Sequence, residues 1–140
     1  MKRFLAISLL LSSLPAPALA ASPSVEVASA NWSFLPNMRQ RSSDHLSNVA
    51  IARIHEIARE GKCAIPGAQG SLLDFGLSFA AHFTPDGSVD RIVMQKLGCQ
   101  EAEGILGGVL LKMVQGGDYK PDGSNEDGWY RGTLSFTIGG

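Results

Sequence analysis

Histidine and cysteine are scarce in this chain, three and two among 140 residues, and neither falls in a spacing that serves metal or redox chemistry. His45 and His55 lie on a stretch expected to be helical, but their separation points them in different directions. His82 sits among the polar positions of an alternating segment, and no His-Glu-x-x-His or mixed Cys/His grouping is present. A Cys-x-x-Cys pair and a nucleophile elbow are also missing, which removes the usual sequence signatures of thiol redox and serine hydrolysis. The basic residues are scattered without interleaved aromatics, so no nucleic-acid surface is expected. Asp118, Asp122, Glu126 and Asp127 surround Gly123, yet the alternating acidic positions of a calcium loop are absent and Trp129 stands where the bidentate glutamate belongs. That loop reads as a solvated turn, and the chain as a protein with no cofactor, no metal and no enzymatic activity.

What is present begins with an export signal. Lys2 and Arg3 precede an apolar run over residues 4–14, and Ala18-Leu19-Ala20 supplies a small-x-small cleavage site, so residues 1–20 are expected to be removed. Cleavage leaves 10 of the 12 basic residues against 13 acidic ones, a formal charge of −3. Beyond the signal no apolar run is long enough to span a bilayer, so the mature chain is expected not to insert into a membrane. In an oxidising compartment Cys63 and Cys99 read as a disulfide, which would restrict the unfolded chain by about 4 kcal/mol in the loop-entropy picture. Two buried thiols are the alternative.

Residues 21–43 are rich in Ala, Ser and Pro and read as a flexible tether, with Trp32-Ser33-Phe34-Leu35 as a cluster able to dock on the body. Residues 44–140 form the folded domain. Its first helix is expected over residues 44–60, where Leu46, Val49, Ala50, Ile54, Ile57 and Ala58 recur at helical spacing. Ser43 or Asp44 can cap its start, and Gly61 its end. A second stripe, Ala102, Ile105, Leu106, Val109, Leu110, Met113 and Val114, predicts another amphipathic helix. Gly104, Gly107 and Gly108 interrupt that helix, each at a cost of about 1 kcal/mol relative to alanine, and permit close packing.

Between the helices, Leu73, Phe75, Leu77, Phe79, Ala81 and Phe83 alternate with polar or small residues up to Thr84-Pro85-Asp86-Gly87, a turn that starts a β-hairpin. The apolar parity changes after Val89, which predicts a bulge near Asp90 and Arg91. The last strand places Tyr130, Gly132, Leu134, Phe136 and Ile138 on one face and Trp129, Arg131, Thr133, Ser135 and Thr137 on the other.

The order helix, hairpin, helix, strand, together with FAAHFTPDGSVDRIV, the later Tyr119-Lys120-Pro121 and the closing alternation, resembles the C-terminal domain of TonB, the energy transducer of Gram-negative envelopes. The resemblance spans residues 48–138. It implies a two-layer α+β domain with two helices on one face of a three-stranded antiparallel sheet. It also implies a periplasmic location and a last strand that accepts a segment of an outer-membrane transporter, or of another envelope protein, by strand addition. On this chain the acceptor carries Trp129, Arg131, Thr133, Ser135 and Thr137. The chain departs from the family in its cleavable signal, in lacking a long proline-rich spacer and the opening Tyr-Pro, and in having Gly117 where the family has an aromatic.

Two further readings use the same scaffold. One is a small secreted enzyme with His82 acting alongside Asp74 or Asp90. The other is an envelope structural protein that forms a homodimer through the edge of its last strand.

Overall fold

The computed structural model describes residues 22–122 and 127–139. The expected export signal and part of the loop expected as a solvated turn therefore lie outside the described residues. The architecture is α+β, with two helices and a mixed sheet. Among the described residues no helix is long and apolar enough to cross a membrane.

The hairpin is the centre of the sheet. Strand β4 (Leu72–Phe83) pairs antiparallel with β5 (Val89–Gln95) on one side and with β7 (Gly128–Ile138) on the other. At the turn Asp86 accepts the Thr84 hydroxyl and, at 3.1 Å, the Ser88 N–H, while Gly87 takes φ 83°. The register shifts between His82 and Phe83, pairing His82 with Arg91 and Phe83 with Val89, so Asp90 is the unpaired bulge residue. Both Val89 and Ile92 then reach the core despite their opposite parity.

The sheet is larger than the three antiparallel strands expected. A short β3 (Ala68–Gln69) folds back on β4, and β1 (Ser24–Ala28) adds beside β5 in parallel, giving five strands. Residues 21–43, expected as a flexible tether, thus contain β1 and also β2 (Met38–Gln40), which pairs antiparallel with β6 (Tyr119–Pro121). Val25 alternates inward and lies against Gly107, where an added Cβ would come within 3.0 Å of its side chain. Close packing is therefore the role of Gly107, whereas Gly104 and Gly108 face open space.

Helix α1 (Asn48–Glu60) starts later than expected. Its cap is Ser47, which accepts the Ala50 N–H at 3.1 Å, and neither Ser43 nor Asp44 does so. The preceding residues are held elsewhere, by Asp118. Gly61 ends the helix in the left-handed region, φ 70°. Helix α2 (Gln100–Gln115) buries Ala102, Leu106, Val109, Leu110, Met113 and Val114, with Ile105 partly buried beside them. Both helices join the inner sheet face through Leu73, Phe75, Leu77, Phe79, Tyr130 and Leu134 in one core. Cys63 and Cys99 form a disulfide, with Cα atoms 5.6 Å apart, that ties the loop after α1 to the start of α2.

Candidate functional site at the edge of the last strand

Among the described residues β4 is the one strand paired with β7, which leaves the other side of β7 as a sheet edge. The N–H of Arg131 points outward, donating at 2.9 Å to the carbonyl of Pro36. Because backbone direction alternates along a strand, Thr133, Ser135 and Thr137 also turn their N–H and C=O groups outward. One of these is occupied: the Thr133 carbonyl accepts the Tyr119 hydroxyl at 2.8 Å. Burial, reinforced by the neighbouring Asp118 charge, pushes the Tyr119 phenol up to about 12, so it remains a donor throughout the physiological range. Among the described residues, no strand pairs with the outer edge from Thr133 onward.

The first half of this edge is closed by the N-terminal segment. β1 lies at the opposite edge of the sheet, and residues 29–36 cross the exposed face to reach β7. Trp32 lines a shallow cavity with Ser78 and Gln95 on the way, and Asn37 then forms a parallel bridge with Arg131. Beyond the bridge the chain turns to the helical side, where Met38 is buried against Gly132. Residues 29–37 are thus a strap around the edge.

A cleft of about 540 Å³ opens where the strap leaves β7. Asn31, Trp32, Asn37, Gln40, Arg131 and Thr133 are among its walls, which among the described residues include no aspartate or glutamate. The Nε of Arg131 is buried and without a hydrogen-bond partner among the described residues.

The five residues expected to contact a peptide occupy different settings. Thr133 and Ser135 are exposed at the edge, and Arg131 lines the cleft. Thr137 donates its hydroxyl to Asp74 at 2.9 Å. Trp129 packs within the exposed face, its ring 5.1 Å from that of His82 and 5.2 Å from the Arg91 guanidinium. On that face His82 Nδ1 lies 2.6 Å from Asp90 Oδ1. Asp74 does not join this pair, because it sits across from Thr137 near the other end of β4. No group of three or more His, Cys, Asp or Glu among the described residues is placed to hold a metal.

The sequence reading missed the group that positions β6 and hence Tyr119. Asp118, read as part of a solvated loop, is fully buried. It accepts the Ser42 hydroxyl at 2.6 Å and the His45 N–H at 2.9 Å, and its carbonyl accepts the Arg41 N–H at 2.6 Å. Burial opposes its charge, but the hydrogen bonds from Ser42 and His45 outweigh it and hold the carboxyl below the usual aspartate value. The only available signal was the short apolar alternation of Tyr119 and Pro121, which a lysine and a proline obscure.

In comparison with protein-family models, curated proteins and solved structures, the chain matches none.

Proposed function

We propose that this is an exported, periplasmic binding module that takes up an extended peptide as an added strand along residues 133–137. The observation that carries the reading is the half-open edge of β7, where the outward backbone groups of Ser135 and Thr137 have no strand beside them among the described residues. Each backbone hydrogen bond contributes about 0.5–1.5 kcal/mol net, so a short added strand reaches useful affinity through the main chain alone. The TonB-like resemblance supports the reading through α1, β4, β5, α2 and β7, with the short strands β3 and β6 interposed. On that resemblance the partner is a segment of an outer-membrane transporter or of another envelope protein, and the module binds without transducing energy or catalysing a reaction.

The test is a titration of the chain with peptides from the N-terminal, internal and C-terminal periplasmic segments of outer-membrane transporters and other envelope proteins, followed through backbone amide resonances. Shifts concentrated at residues 133–137 are expected. Absence of any shift, or shifts confined to the β1 edge, would overturn the reading. Shifts that depend on protein concentration and not on peptide would favour self-pairing of the edge in a homodimer.

A further inference from the structure

We infer that the edge of β7 recognises the carboxyl-terminal end of an extended chain, its terminal carboxylate entering the cleft at Arg131. The inference rests on the strand-addition reading above and adds the direction and the end of the ligand.

Two observations meet at one place. The first is a stop. Pro36 takes the outward N–H of Arg131 at 2.9 Å and Asn37 bridges the same residue, so a strand added along residues 133–137 cannot continue toward Trp129. The second is the chemistry at the stop. Arg131, its Nε buried and without a hydrogen-bond partner among the described residues, lines the adjoining cleft together with Asn31, Asn37 and Gln40, and no described aspartate or glutamate lines it. An arginine with no acidic neighbour among the described residues of its cleft calls for an anion, which it binds through charge-assisted and directional hydrogen bonds.

The charge also selects the direction of the strand. A strand antiparallel to β7 runs from Ile138 toward Thr133 and brings its C-terminal end to the cleft. A parallel strand brings its N-terminal end there, and a free α-ammonium would meet the guanidinium with like charge. Antiparallel addition is the arrangement β7 already has with β4. Trp32 forms a wall of the same cleft and offers apolar surface to the last side chain of the ligand.

The experiment uses the mature chain and randomised pools of N-acetylated seven-residue peptides, alike except that one pool ends in a free carboxylate and the other in a carboxamide. The carboxylate pool is expected to be retained about tenfold better, the range of one charge-assisted hydrogen bond. Arg131→Gln should remove that preference while amide shifts at residues 133–137 persist for both pools. Equal retention of the two pools by the native chain, with edge shifts, overturns terminal recognition and leaves strand addition standing. Retention of neither pool, with no edge shifts, overturns strand addition itself. A third pool with a free amine and a carboxamide end tests direction, and its preferential retention would overturn the antiparallel arrangement. The comparison of pools on the native chain decides the matter even where R131Q folds poorly.

Discussion

The carboxylate of Asp118 engages His45 twice, 2.9 Å from the backbone N–H and 2.8 Å from ring Nδ1. With Ser42 as a third partner, one buried side chain fixes the turn before α1 to the start of β6. This is why α1 begins at Asn48, since the residues ahead of it are held to Asp118. Removing the carboxylate leaves these partners facing a site they cannot satisfy. Asp118→Ala is expected to cost about 3 kcal/mol, read as a shift of the denaturant midpoint, because lost hydrogen bonds to a buried charge lie at the upper end of the usual range. Loosening of Tyr119, seen as a change in its hydroxyl contact with Thr133, should accompany the loss. A shift below 1 kcal/mol would contradict this role.

The same carboxylate predicts a direction for acid sensitivity. Its folded-state value is held below the ordinary aspartate value of 3.8, so the unfolded chain binds the proton first as pH falls. The stabilisation is fully present above the unfolded value and is lost as pH drops through the depressed one. Native chain and D118N should therefore differ most at neutral pH and approach each other below about pH 4, in stability measured by urea unfolding across that range. A gap that widens on acidification would have the wrong sign.

Gly132 faces the core from β7, opposite Phe79. A Cβ there would sit 2.8 Å from the Phe79 ring and 3.0 Å from Met38. Phe79 is fully buried and packs edge-on against Tyr119, ring centroids 5.1 Å apart, so it has little room to withdraw. Gly132→Ala is expected to destabilise the domain by about 1–3 kcal/mol, the range for overpacked cores. Thermal unfolding reports the cost, and the aromatic circular dichroism of the Phe79 and Tyr119 pair should change with it.

The parts of the structure legible in the sequence are those in which a long periodic run meets a single buried face. β4 keeps its alternation from Leu73 to Phe83, α2 keeps its stripe from Ala102 to Val114, and the parity change around Asp90 marks the bulge. β1 was hidden because its five residues sit in an Ala, Ser and Pro background and pair in parallel with a strand far along the chain. β6 was hidden because three residues are too few to establish a period. For the candidate site, the odd-numbered face of β7 was readable from alternation. That half of the edge is closed was not, since the contact of Pro36 with Arg131 leaves no local pattern in either segment.

The bond between Cys63 and Cys99 fastens the loop after α1 to the position immediately before α2. Replacing both cysteines by alanine removes a restriction on the unfolded chain that is about 4 kcal/mol in the loop-entropy model. The double variant should unfold at clearly lower denaturant, with the contacts of β4 and β7 unchanged in its amide spectrum. The same midpoint for the native chain with and without a reductant strong enough to open the bond would show that the link contributes little.

The role of the β7 backbone can be separated from that of its side chains at two neighbouring positions. Ser135 turns its N–H away from β4, so proline there removes a donor from the free edge and leaves the ladder to β4 in place. Ser135→Pro is expected to abolish peptide-induced shifts while the stability loss stays small for an edge position. Thr133→Ala removes only an exposed side chain, should alter stability by no more than about 0.5 kcal/mol and should leave binding unchanged. Proline at Leu134 is the control, since that N–H faces β4 and its loss should damage the fold itself. If S135P binds peptide like the native chain, recognition does not run through the main chain of this edge. If T133A loses binding, the threonine side chain carries the contact.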